Sequence, residues 1–522
     1  MTRSVFSSDN PGSPFLEGLK RYGERRIIRF HTPGHRGGRW LEPSFLEAIG
    51  PGAAALDISD LLEGEQGPAD WTEAIRQAEQ RAAKVFGAAA TRFLVNGTSG
   101  GIHAAMIAAG GKRAVFSRAS HLSVYAAAIL ADVEVRYLPP TYDLEWDIPG
   151  PPSHKGILTA LQDFRPSVAV DTYPNYYGLT HDLSTWSVEG RLRAATDAAT
   201  TEETRATGNA RTSGGVTDSE DIPVAKPLPL LIADEAHGSH FAVCPGAPPT
   251  ALSRGADLTV QSFHKTLGAM TQCSVLHVAK QAPHLVPLVD RSLLFLQTTS
   301  PSPILLASLE AAVRQIERST QIENEWKRAV NIAGDLRASI DRRTGCRCLD
   351  EAYARAKWGA ALDPARLVIN VSGAGWTGIG AARWLRTEKR IQVEMANQVA
   401  IVVLVSPGND VFDAERLVDA LQELSRTPSP QRPAVVAPPP WSLQEIPARE
   451  ALARPVEWIF LDRAAGRIAS ELVCPYPPGI PVLVPGEKIT AEMVEYLRHV
   501  RRVGWEVRGA AMWDADKIGV VK

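Results

Sequence analysis

The chain has 522 residues but only five cysteines, no long apolar run and almost no excess of either charge. The cysteines form an odd set. Cys346 and Cys348 stand too close together for a disulfide framework or a CxxC site, so a reducing cytoplasm is expected and no metal centre. No stretch of about 18 apolar residues occurs, which argues against a membrane-spanning helix. The opening MTRSVFSSDNPGSPFLEGLKRYGE has no apolar core of signal-peptide length. A formal net charge of −2 supplies no broad basic surface, so the expected partner is a small molecule and not nucleic acid. What is present is globular: 44% hydrophobic and 22% charged residues, in a chain too long for one core and suited to two or three domains.

Residues 72–86 place apolar side chains at helical spacing and stop at Gly87. A short apolar strand over 93–95 then runs through NGTSGG (96–101) into an alanine-rich helix. Further short apolar runs at 114–116, 133–138, 168–170 and 230–233 alternate with helical patterns such as SVYAAAILA. This alternation predicts an α/β domain with a largely parallel sheet, whose function collects at the carboxyl ends of its strands. Residues 194–226, rich in Ala, Thr, Gly and acids, read as an inserted surface loop. The proline-rich segment 426–441 reads as a semi-rigid linker. Between them, residues 316–340 form one long helical pattern, followed by the strand candidates RLVINVSG and QVAIVVLVSPG of a smaller α/β domain. The predicted layout is an N-terminal arm (1–45), a large domain (46–320), a small domain (321–425) and a C-terminal domain (441–522).

The chemistry concentrates at strand ends. LLIADEAHGSHF ends an apolar strand on Asp234, and GADLTVQSFHKTLGAMTQ presents Lys265 beside Ser262, His264 and Thr266. An amine can hold the aldehyde of pyridoxal phosphate, and an aspartate can keep its pyridine nitrogen protonated so that the ring accepts electrons. Asn96–Gly101 opens a helix after a strand, where free N–H groups and the helix dipole favour an anion, and Thr98 and Ser99 add hydroxyls. His121, between a strand and a helix, can stack its ring on a flat heteroaromatic. Taken singly, each residue has an ordinary structural role as a turn, a cap or a surface lysine. Taken in chain order, they offer a phosphate cradle, a stacking ring, a ring-nitrogen partner and an amine.

On the segments HTPGHRGG (31–38), FLVNGTSGGIHAAM (93–106), SRASHLS (117–123), NYYGLTHDL (175–183), ADEAHGSHF (233–241), GADLTVQSFHKTLGAMTQ (255–272), LQTTSPS (296–302) and PYPPGIPVLVPGE (475–487), the chain resembles the ornithine/lysine/arginine decarboxylase family. The likeness is to its short form without an N-terminal receiver-like domain. It implies a fold-type I pyridoxal-phosphate transferase-like large domain, a smaller α/β domain and a C-terminal domain. It also implies that Lys265 carries the cofactor, that Asp234 pairs with its ring nitrogen and that His121 stacks on the ring. Thr98, Ser99, Ser262 and His264 would then bind phosphate, and His237 would lie near the cofactor. The segment 297–302 would reach a neighbouring subunit, so a homodimer or higher homo-oligomer is expected. The sequence has His121, Leu122 and Ser123 where the family usually has HKS.

The implied reaction is decarboxylation of lysine, arginine or ornithine, with Lys265 or His121 returning a proton to Cα. A basic side chain needs a carboxylate at its far end, and Asp57, Asp60, Glu63 and Glu487 are the candidates. An aminotransferase or carbon–sulfur lyase on the same fold is the alternative reaction, and a non-catalytic regulatory homologue the alternative class.

Overall fold

The computed structural model describes residues 14–25, 27–58, 71–186, 228–429, 435–476, 479–511 and 513–522. The predicted insertion at 194–226 lies outside the described residues, as do Asp60, Glu63 and the two prolines 477–478.

A seven-stranded sheet organises the large domain. In chain order its strands are β1 (Ala90–Leu94), β2 (Arg113–Ser117), β3 (Glu134–Leu138), β4 (Val168–Thr172), β5 (Leu230–Asp234), β6 (Leu258–Gln261) and β7 (Ser274–Val278). In space they lie β1-β7-β6-β5-β4-β2-β3. The pairs from β6 across to β3 are parallel, while β7 runs against both β1 and β6. The direction of β7 follows from its connection. Only a short helix, Phe263–Thr266, and a turn separate it from β6, and a parallel return needs a longer crossover.

The central strands carry runs of buried apolar residues on both faces because they serve two cores. Phe116, Val170 and Ile232 face one core with the helices Gly97–Ala109, Leu122–Leu130 and Val286–Leu296. Val115, Ala169 and Ala233, one residue out of step, face the other with Ile157 and Leu161 of the helix His154–Asp163. Burial on both faces removes the alternation seen in half-exposed sheets. Gly101 is required where the helix after β1 crosses the sheet: a Cβ there would sit 2.5 Å from both Leu94 and Val260.

The helical pattern over 316–340 is two helices, Pro303–Glu317 and Ser319–Arg343. They meet at Arg318, whose ψ of 56° breaks the helix just before Ser319 and Thr320, residue types that compete with a helical backbone. The second helix packs against a four-stranded antiparallel sheet in which Arg366–Asn370 and Ala400–Leu404 are central. The C-terminal region builds its own core from Leu461, Val473, Leu483, Leu497 and Val520, around the helix Ala491–Arg502 and two strand pairs. It is joined to the large domain by Arg118 and Glu487, both buried.

Candidate active site

The parallel strands end on one edge, and register sets Thr172 of β4 beside Asp234 of β5. Above that edge lies a cavity of about 270 Å³. Thr98, Ser99, His121, Asp234, His237, Ser262, His264 and Lys265 all line it, so the eight residues singled out from the sequence share one space. Thr172, Tyr176 and Gln272 also stand in its wall.

At one end the helix Gly97–Ala109 begins at Asn96, whose side chain makes no capping hydrogen bond, and Gly97 has a φ of +68° that favours glycine. The Thr98 hydroxyl meets Ser262 Oγ, and stands 3.2 Å from Ser274 Oγ. Ser99 is exposed at the rim. His264 donates from Nδ1 to the Cys273 carbonyl at 3.0 Å, which fixes its proton on that nitrogen. Uncapped amides and hydroxyl donors at a helix start make a seat for an anion.

At the other end, Asp234 is buried and accepts one long hydrogen bond, 3.3 Å from the Ala236 amide. Burial pushes its carboxyl up, and the charge of Lys265 opposes that. Lys265, on the short helix after β6, has Nζ 2.9 Å from His237 Nε2. Burial pulls its ammonium down, while Asp234 and then Glu394 resist. His121 caps the helix Leu122–Leu130, its Nδ1 accepting from the Ser123 amide at 3.2 Å. Burial first, then the positive charges of Lys265, Arg508 and His103, bring its imidazole to about 4.

Two wall atoms are orphaned: the Tyr176 hydroxyl and Thr172 Oγ1 are buried without a hydrogen-bond partner. Such groups cost roughly 1–3 kcal/mol each until something polar meets them. With the anion seat, the single carboxylate and the amine, they suit a compact polar ligand carrying an anionic end, a protonated ring nitrogen and an electrophilic carbon.

Two candidate acids lie elsewhere. Glu487 receives both guanidinium nitrogens of Arg118, at 2.7 and 2.9 Å, and the Val484 amide at 3.0 Å, which leaves it nothing for a substrate. Asp57 stands 3.0 Å from His35. The sequence reading missed Arg366, Glu394 and Thr172. Arg366 opens a strand of the small domain and reaches behind His237, and nothing local in LDPARLVIN marks that long-range contact. Tyr176 stood inside the quoted segment NYYGLTHDL, without a role.

Comparison with known proteins agrees along the whole chain. The family described as Orn/Lys/Arg decarboxylase, major domain, matches residues 13–199 and 224–413, and its C-terminal domain matches 438–511. The chain is 30% identical to an arginine decarboxylase of Bacillus subtilis, covering 98% of each. It is 24% identical to the constitutive lysine decarboxylase of Escherichia coli over 96% of this chain and 79% of that one. Among solved structures, a lysine decarboxylase of Francisella novicida superposes with a TM-score of 0.75 at 19% identity, over 98% of this chain and 81% of that one. The chain belongs to the Orn/Lys/Arg decarboxylase family.

Proposed function

We propose that this protein is a pyridoxal-phosphate-dependent decarboxylase of a basic L-amino acid, with L-arginine as substrate, releasing carbon dioxide and the corresponding amine. The observation that carries the reading is the placement of Asp234, Lys265 and an uncapped helix start on one cavity. The choice of arginine is supported by full-length relatives named arginine decarboxylase at 28–30% identity.

When bound, the cofactor supplies an electron sink for the pair left on Cα as carbon dioxide departs. Asp234 would hold the proton on its ring nitrogen, Lys265 Nζ would take its aldehyde, and Thr98, Ser99, Ser262 and His264 would hold its phosphate with the start of the helix. His121, which lines the same cavity, would stack on the ring. Burial and the neighbouring positive charges bring the His121 imidazole to about 4, so at pH 7 it is not an acid, and Lys265 Nζ, once it has taken up a proton, would be the group that returns one to Cα. The charge of Glu394 acts on both Lys265 and His264, which makes it the carboxylate best placed for a distal cation.

Transamination is disfavoured because no arginine lines the cavity among the described residues. Retention of Asp234, Lys265 and His121 around one space speaks against a non-catalytic homologue. A second copy of the chain is part of the proposal. Leu294 and Phe295, directly before the segment 297–302, are 72% and 78% exposed, and Phe30 and Trp40 are more exposed still. Apolar surface of this kind marks an interface.

The test is release of carbon dioxide and amine from cofactor-loaded protein given L-arginine, L-lysine and L-ornithine in parallel, with Lys265→Ala as blank. Turnover of arginine that is absent in the variant is expected. Turnover of lysine alone overturns the substrate assignment, and a keto acid in place of carbon dioxide overturns the reaction.

A further inference from the structure

Arg366 is fully buried, yet its guanidinium reaches out of the small domain to the large one. Nη1 donates to the Tyr176 carbonyl at 3.0 Å, and Nη2 lies 3.1 Å from Nδ1 of His237. Its Nε is 3.9 Å from Asp363 Oδ2, and Asp363 Oδ1 is 3.2 Å from His240 Nε2. The far nitrogen of His237, Nε2, is the atom 2.9 Å from Lys265 Nζ. Arginine, imidazole and amine therefore form one chain that ends on the proposed nucleophile.

The direction of every proton in that chain is determined. A guanidinium has five donors and no acceptor, so Nδ1 of His237 accepts. A neutral imidazole has a single accepting nitrogen, so Nε2 carries the hydrogen and donates it. Lys265 Nζ is left as the acceptor, and an amine that accepts is unprotonated. An imidazolium would turn Nδ1 into a donor facing a donor.

We propose that Arg366 is a positioning residue for the reaction: by donating to Nδ1 of His237 it fixes the Nε2–H tautomer, which in turn holds Lys265 as the neutral amine that can take an aldehyde. The proposal rests on the reading of Lys265 as the cofactor's amine. Burial first, and then positive charges that include Arg366, hold the His237 ring well below the usual histidine range, so it stays a neutral imidazole. Lys265 faces Asp234 and Glu394, which favour its ammonium, and Arg366, which together with burial opposes it. Arg366 acts from the small domain, so the state of the lysine depends on how the two domains meet.

The test uses the full-length apoprotein with ¹⁵N-labelled histidine, the ring of His237 being identified by its loss in His237→Asn. The wild type is expected to show a neutral Nε2–H ring at pH 7. In Arg366→Met the ring should shift toward Nδ1–H, and the pH midpoint for labelling Lys265 with trinitrobenzenesulfonate should rise by about one unit. Arg366→Lys, which keeps a donor, should restore both in part. A wild-type ring that is Nδ1–H or doubly protonated overturns the proposal without any variant having to fold. So does an Arg366→Met protein in which tautomer and midpoint are unchanged. Neither readout needs cofactor or substrate, so both stand apart from failure of the decarboxylase reading.

Discussion

Arg118 with Glu487, and Lys265 with Asp234, are each a basic and an acidic side chain withdrawn from water, and their surroundings differ in kind. Glu487 accepts three hydrogen bonds, and Arg118 also donates to the Val482 carbonyl at 3.1 Å and lies 4.8 Å from the centre of the Tyr137 ring. Among the described residues, Asp234 accepts one bond, at 3.3 Å, and Lys265 Nζ meets only a histidine at hydrogen-bond distance. The first pair is closed by hydrogen bonds within the protein and joins two parts of the chain. The second has capacity to spare and opens on a cavity. Spare capacity at a buried charge marks a site built for something that arrives later.

The largest expected contrast is between activity and stability. Lys265→Ala should abolish decarboxylation, and Asp234→Ala should lower kcat by at least about 10³-fold, while both leave the thermal midpoint of the apoprotein unchanged or raised. A midpoint that falls by more than a few degrees in either variant would erase the distinction. Next, Arg118→Met should destabilise by about 3–5 kcal/mol in urea unfolding, because Glu487 is left as an uncompensated buried charge. Adding Glu487→Leu should recover most of that loss, and failure to recover it would mean the pair is more than a joint.

Glu235 sharpens the comparison as an intermediate case: it is buried beside Asp234 with two hydrogen bonds, from Ala251 N at 3.0 Å and Gln261 Nε2 at 2.8 Å, but with no counter-charge. Burial pushes its carboxyl up to about 8. The folded state therefore binds its proton more tightly than the unfolded state. The stability gained is complete below the unfolded value near 4.5 and is lost as pH rises through about 8. Unfolding free energy should fall across that window at up to about 1.4 kcal/mol per pH unit from this group, and Glu235→Gln should flatten the slope. The smallest effect is expected at the exposed Glu394, where Glu394→Gln should raise KM for arginine roughly tenfold with little change in kcat. An unchanged KM would move the distal contact elsewhere.

Much of this was legible in the sequence because it is local. Strand-then-turn-then-helix patterns placed Asp234, Lys265, Thr98 and His121 at the same sheet edge, and the cavity gathers them. Strand ends shifted by a few residues, as with β1 at Ala90–Leu94 against 93–95, since pairing partners and not composition decide where a ladder stops. The helix break at Arg318 was also hidden, because apolar spacing continues across it. What could not be read were contacts between residues far apart in the chain. Glu487 looks like any acid before a helix until Arg118 is placed on it, and Arg366 looks like a strand-flanking charge until His237 is found beside it. Each is 100 or more residues from its partner, and one sequence carries no mark of such pairs.

Arg118 and Glu487 are 369 positions apart, which bears on how the molecule is made. A chain emerging from its N-terminus presents Arg118 early, in a strand-end segment meant for the interior, and must wait for almost everything else before the counter-charge arrives. Until then the guanidinium has to stay hydrated, and that edge of the sheet stays open. The first half of the protein is thus finished by its last tenth, and a chain cut short before Glu487 is expected to be open to chaperones and proteases.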